Sequence, residues 1–585
     1  MRWNLHSILV FCLFPITLVH GLCPKECGCP RPGQVDCSGQ NVSAIPKNIP
    51  QNIRTLQIVN TEVTEIPDGV LQYMTALLIL RIERNDELST LGSMAFHNLI
   101  SLRYLSLANN KLQELHSSLF KDLGRLETLV LSNNQLKQIH PLLFTPLSNL
   151  KDLQLLGNNL ESIPLGAFGQ MGELLKLNLA KNNIKYIQPQ TLDKLTKLQT
   201  LRLYENELKD IPSKLFEKLS GLQEVALHSN KISELPSDTF INNPDLQKVF
   251  LSNNQLKTLP QGLFLNLPEV SKLTLYGNAI KEIPTEVFGP MLKLKELWLY
   301  DNQLEKLTDY AFSNLTQTVL LVLSKNKIQS ISTHAFFGLD ELQELSLHTN
   351  LLTTLGPEVF KCLPKLQNIS LHSNTIEYLS EDLFKNMDTL MKIQLQNNSL
   401  ENLPEGIFDS LVHLHEVKLY ENPWTCDYNL LPLKKWISQN KHKVGNESQL
   451  ICTNPPFIGL TISELQDHQL ILQGFTDIPD STAGYDTRSN DVFSVENNYQ
   501  TSTANKYFED FSVVEPTFMF SDDDIEKEPG RSKMVGGVVI ATIVLCCIGL
   551  VAASLACIVY NRRKKNNVVL MRMKQQNEAA KNGEC

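Results

Sequence analysis

Asparagine stands at every twenty-fourth position from Asn110 to Asn422, fourteen times without a gap, and Asn85 and Asn60 extend the series upstream at a step of 25. Around each the text reads L-x-x-L-x-L-x-x-N-x-L or close to it, as in "LRYLSLANNKL" (Leu102 to Leu112) and "LQTLRLYENEL" (Leu198 to Leu208). A chain this regular has few options. Each repeat holds one short strand and a return segment, cannot bury its apolar side alone, and must stack on its neighbours to build a continuous core. An asparagine amide both donates and accepts, so a column of them satisfies backbone groups where the chain leaves the strand. Phenylalanine forms a second column at the same step from Phe96 to Phe408, with Leu192 in the single gap, and predicts a stacked spine under the convex side. After Asn85 the pattern departs to N-x-x-L through Asp86 and Glu87, which leaves that one turn undetermined.

At about 4.8 Å between paired strands, some sixteen rungs predict an inner parallel sheet on the order of 80 Å long. Its two ends would expose apolar rungs unless they were capped. Four cysteines, Cys23, Cys27, Cys29 and Cys37, precede the first rung, and "NPWTCDYNLLPLKKWI" follows the last. Four cysteines allow three connectivities. A zinc site is a poor reading, because no pair has C-x-x-C spacing and nothing else supplies ligands.

Repeat and caps together resemble the extracellular leucine-rich repeat family. Particular strings, "SLRYLSLANNKLQ", "ELWLYDN", "LQELSLHTN", "LQNISL", "YENPWTCD" with "LLPLKKW", and "VVLMRMK" near the end, are similar to cell-surface members of it. The resemblance implies an α/β leucine-rich repeat solenoid, a curved horseshoe of about sixteen repeats with disulfide caps and one transmembrane helix. It implies the pairs Cys23–Cys29 and Cys27–Cys37. In the C-terminal cap the family's usual second cysteine falls at Tyr428, so a single bridge, Cys426–Cys452, is expected there, with Trp424 and Trp436 as core packing. It also implies a role in cell–matrix contact, with collagen, fibronectin and laminin as the partner class.

The ends of the chain read as targeting elements. Arg2 precedes the apolar run "ILVFCLFPITLV", which with Gly21 predicts a signal peptide over 1–21. The uncharged stretch from Met534 to Tyr560 is long enough to cross a bilayer core of roughly 30 Å. The following "NRRKK" places the tail, 561–585, on the cytoplasmic side. That tail counts seven basic and two acidic side chains, so the chain's net charge of −9 conceals an exterior near −14. An acidic exterior argues against nucleic-acid binding. Between these ends the reading is an N-terminal cap over 22–52, repeats over 53–422, a C-terminal cap over 423–472 and an acidic stalk over 473–533. The expected topology is a single-pass type I protein of the plasma membrane, its cysteines paired in an oxidising compartment.

Catalysis is not expected. The sequence holds no phosphate loop, nucleophile elbow, H-E-x-x-H motif or convergent acid–base pair, and it implies no cofactor. His348 and His372 fall at one repeat position on adjacent rungs, about 5 Å apart. Without a third ligand they read as surface residues, not as a metal site or an acid sensor. Cys362 reads as a semi-buried free thiol. The tail has no internal tyrosine to signal through, although Cys557 suits palmitoylation and Gly549 with Ala553 suits close approach of two spans, as in a co-receptor.

Within L-x-x-L-x-L-x-x-N, positions three, five, seven and eight face the concavity. There Arg202, Phe250 and Trp298 share the fifth-position column, while Tyr204, Tyr276 and Tyr300 share the seventh. Tyr, Trp and Arg are the types enriched where partners bind most strongly, so these six are the candidate protein-binding residues. Sequons at Asn41, Asn314, Asn368, Asn397 and Asn446 mark expected glycans, the one at Asn368 on the concave face.

Overall fold

The structure, a computed structural model, describes residues 23–473. The expected signal peptide, membrane span, cytoplasmic tail and nearly all of the stalk lie outside them. Among the described residues no helix is long and apolar enough to cross a membrane.

One 19-stranded sheet runs the length of the described chain. It begins at Gln34–Gly39, which pairs antiparallel with Cys27–Gly28 and parallel with Thr55–Thr61. Parallel pairing then continues rung by rung, so that Leu273 lies beside Leu297 and Leu297 beside Leu321, down to Glu416–Lys418 against Val444–Gly445. Most rungs are three residues long, such as Thr200–Arg202 and Glu296–Trp298. Their middle residues point inward and are fully buried, as Leu201, Leu297 and Leu345 show. The return segments are runs of tight turns, closed by bonds from an N–H to the carbonyl three residues earlier, as from Leu123 to Phe120. Among the described residues α-helix is found only in the C-terminal cap, at Leu431–Gln439 and Asp467–Gln473. A 24-residue coil that must climb only one strand spacing leaves no length for a helical return.

The asparagine column works as a clamp. Asn302 donates from Nδ2 to the carbonyls of Leu275, one turn back, at 3.0 Å and of Leu299, in its own turn, at 3.1 Å. Its Oδ1 accepts the N–H of Ile280 at 3.1 Å. The same three bonds recur at Asn134 and at Asn422. At the irregular turn the Leu88 N–H bonds back to the Asn85 carbonyl at 3.0 Å, which seats Leu88 in the core despite the insertion.

The phenylalanine rings stack under the convex side at 6.4 Å between Phe96 and Phe120, 5.8 Å between Phe264 and Phe288 and 6.5 Å between Phe288 and Phe312. On the concave wall the corresponding stacks are closer: 4.6 Å for Tyr204 on His228, 4.7 Å for Tyr276 on Tyr300 and 4.4 Å for His348 on His372. Wider spacing on the convex side than on the concave side is the geometry of a curved stack.

The sequence pattern missed one backbone feature. Every eighth-position residue from Asn109 to Glu421 lies in the left-handed region, with φ from 51° to 68°. That conformation turns the chain out of the strand and aims its N–H at the next turn, as from Asp301 to the Ser324 carbonyl at 3.1 Å. Asn, Gly and Asp tolerate it best, and their frequency at Asn109, Asn133, Gly157, Asn253, Gly277, Asp301 and Asn397 was a readable signal.

Both caps are closed by disulfides: Cys23–Cys29 and Cys27–Cys37 at one end, Cys426–Cys452 at the other. Trp424 is fully buried, and the Trp436 ring packs 4.8 Å from Phe408, the last ring of the spine. Cys362 corrects an expectation. Expected as a semi-buried free thiol, it is buried and disulfide-bonded.

Candidate functional site

The six candidate residues all lie on the concave sheet, but its neighbours treat them differently. Tyr204 and Phe250 are 7% and 6% exposed. They form a small island with Ala180 and Ala226, whose short methyl side chains leave room for the rings to pack against the wall. His228 closes the island, stacked on Tyr204 and set edge-on to Phe250 at 5.9 Å. Burial pushes its pKa down to about 4 against the opposing pull of Glu224, so the ring is neutral at physiological pH. Lys272 lies over the Phe250 ring, 5.7 Å from its centre. Arg202 Nε donates to Glu224 Oε1 at 2.9 Å, and Lys248 approaches the other Glu224 oxygen at 3.6 Å. Arg202 is thus already engaged in an ion pair on the wall.

Tyr276, Trp298 and Tyr300 are half-buried and keep part of their rings toward the concavity. Tyr300 stacks on Tyr276 within 10° of parallel, and Trp298 meets Tyr300 at 73° with centroids 6.1 Å apart. The three rings make a corner. Trp298 Nε1 donates to Glu296 Oε2 at 3.1 Å, which fixes the indole and sets a carboxylate at its edge. One rung on, Val322 and Ser324 are small and buried, so the wall drops away beside Trp298 and Tyr300.

His348 and His372 stack within 7° of parallel. Each Nδ1 engages the hydroxyl of its successor, Thr349 at 2.9 Å and Ser373 at 3.0 Å. Burial, with the Lys325 charge beside it, brings His348 down to about 4. Among the described residues no group of three or more His, Cys, Asp or Glu is placed to hold a metal ion. A polar recess of about 340 Å³ lies off the concave face, between Arg103, Arg125, Glu127, Asn149, Lys151 and Glu173. In it the Glu127 carboxylate accepts bonds from Lys151 and Arg103, which lower its pKa from the ordinary value.

Of the sequon asparagines, Asn41, Asn397 and Asn446 are exposed, and Asn368 opens the concave strand Asn368–Ser370. Asn314 lies under the convex turn with its amide donating to the Phe288 carbonyl at 2.8 Å.

These features define a capped, curved β-solenoid with an aromatic inner wall. The family description "Leucine rich repeat" matches residues 196–256, 220–280, 268–328, 317–376 and 364–423, and "BspA type Leucine rich repeat region (6 copies)" matches 64–199. The chain belongs to the leucine-rich repeat family. It is similar to Leucine-rich repeat-containing protein 15 of Homo sapiens, 45% identical over 67 residues that span 12% of this chain and 11% of that protein. It is also similar to Podocan of Mus musculus, 35% identical over 89 residues, 15% of each chain. The matched stretches thus span under a fifth of these relatives' own length. Among solved structures, Toll in the Drosophila Toll–Spatzle complex shares the fold, with a TM-score of 0.52 at 19% identity, over 75% of this chain and 71% of that one.

Proposed function

We propose that this chain is a non-catalytic, single-pass type I cell-surface glycoprotein whose concave face binds extracellular proteins and holds cells to matrix. The observation that carries this reading is the half-open corner of Tyr276, Trp298 and Tyr300, three aromatic rings in mutual contact on the concave wall. Rigid aromatics reach a partner at low entropic cost, and such residues dominate binding energy when desolvated. Collagen, fibronectin and laminin are the partner class, on the resemblance of the sequence strings. Glycans at Asn41, Asn397 and Asn446 leave the corner open, and one at Asn368 screens only the C-terminal rungs. The test is retention of cells displaying the chain on coats of each matrix protein, wild type against Trp298→Ala with Tyr300→Ala. Loss of retention at equal surface display is expected, and unchanged retention would remove the concave face from the reading.

A second reading, a co-receptor acting through its span, rests on the small pair Gly549 and Ala553. Deleting Arg562 to Cys585 separates the two: an adhesion module keeps its hold on matrix, and a co-receptor loses it.

A further inference from the structure

We infer that the corner formed by Tyr276, Trp298 and Tyr300 with Glu296 is a subsite for a single cationic side chain, an arginine or lysine presented by a protein partner. This deepens the reading of the concave face as a protein-binding surface and rests on it.

Two rings at 73° with centroids 6.1 Å apart offer one π face and one edge to the same space. Aromatic faces attract cations through the negative face of the ring quadrupole, most strongly for tryptophan. Glu296 is exposed and bonded to the indole N–H, so a carboxylate stands at the rim, and Asp301 is exposed at the eighth position of the same rung. The stack of Tyr276 on Tyr300 stiffens the corner from one side, and the small, buried Val322 and Ser324 leave room on the other. The wall already uses this chemistry internally. Arg81 lies over the Tyr104 ring at 4.9 Å and Lys272 over the Phe250 ring at 5.7 Å. Lys272, whose charge acts on Glu296, and Lys325, at the eighth position one rung on, border the subsite, one lysine for each carboxylate, so attraction for a further cation rests on the ring faces. An exterior near −14 adds long-range attraction for a basic partner.

The test displays the full chain on cells and measures binding of a short alternating arginine–glycine peptide against its citrulline–glycine counterpart, which keeps the shape and loses the charge. Wild type is expected to prefer the arginine peptide by about tenfold, Trp298→Phe to keep that preference, and Trp298→Ala and Glu296→Gln to lose most of it at unchanged display. Equal binding of the two peptides to wild type overturns the inference, as does a preference that survives in Trp298→Ala, which would mark general acidity as its source. If Trp298→Ala abolishes retention on matrix while wild type shows no arginine preference, the concave reading stands and the cation subsite falls.

Discussion

Two aromatic groups on the inner wall draw on the same two columns, Phe250 and Trp298 two rungs apart in one and Tyr204 and Tyr300 four rungs apart in the other, and they end in opposite states. Tyr204 and Phe250 are buried, whereas Trp298 and Tyr300 stay half open. The difference lies 24 residues away on either side. Ala180 and Ala226 give the first pair a floor to lie on, and His228 fits between the two rings as a lid. Trp298 has Thr274 and Val322 as column neighbours, which are too small to cover it and are themselves buried. Exposure on a solenoid wall is therefore a property of triplets of rungs. The first group reads as structure and the second as a contact surface.

The sharpest way to break this contrast is to remove one ring from each group. Phe250→Ala is expected to lower stability by about 3 kcal/mol, the range for losing a buried aromatic, as a shift of the urea unfolding midpoint, with little direct effect on partner affinity. Trp298→Ala should do the reverse, weakening binding to a retained matrix partner by about 2 kcal/mol while the midpoint moves by under about 1 kcal/mol. If both substitutions cost stability equally, the corner is packing and the distinction collapses.

Acid titration sharpens the same contrast. His228 has a folded pKa of about 4, below its ordinary value of 6.5, so above pH 6.5 neither state holds the proton and stability is unaffected. As pH falls from 6.5 toward 4 the unfolded chain takes up the proton first, and stability is lost. Thermal unfolding of His228→Phe should show a flatter decline over that window than wild type. His348, also near 4, contributes in the same direction, so the slope shrinks without vanishing. An unchanged slope would mean that the island is open to water.

The smallest expected effect lies at the rim. Thr349 is β-branched and held at φ 56°. Thr349→Asn removes the β-branch while keeping a polar side chain beside His348 Nδ1, and should raise stability by about 0.5 kcal/mol, seen as a higher unfolding midpoint with binding unchanged.

Much of this architecture was legible because it is repeated. One asparagine is ambiguous, but fourteen at a fixed step fix the strand, the turn and the clamp, and the phenylalanine column fixes the convex spine. The left-handed eighth position was not read, because Asn, Gly or Asp stands at only half of its fourteen places and Lys, Glu, Ser or Thr at the rest. The candidate site was legible only as a set of positions. Sequence spacing places Tyr204 and Tyr300 in one column but does not say that an alanine before the first and a histidine after it will bury the ring. Nor does it show Glu296 as the indole's partner or Lys272 as a cover for Phe250, because both depend on side-chain reach across rungs.

The inner stacks at 4.4 to 4.7 Å have one more consequence. Rings already stacked this closely leave those three pairs of rungs little room to approach further. If the wall is the contact surface proposed above, the entropy of adjustment there falls on the partner, and a floppy partner is expected to bind more weakly than a preformed loop of the same sequence.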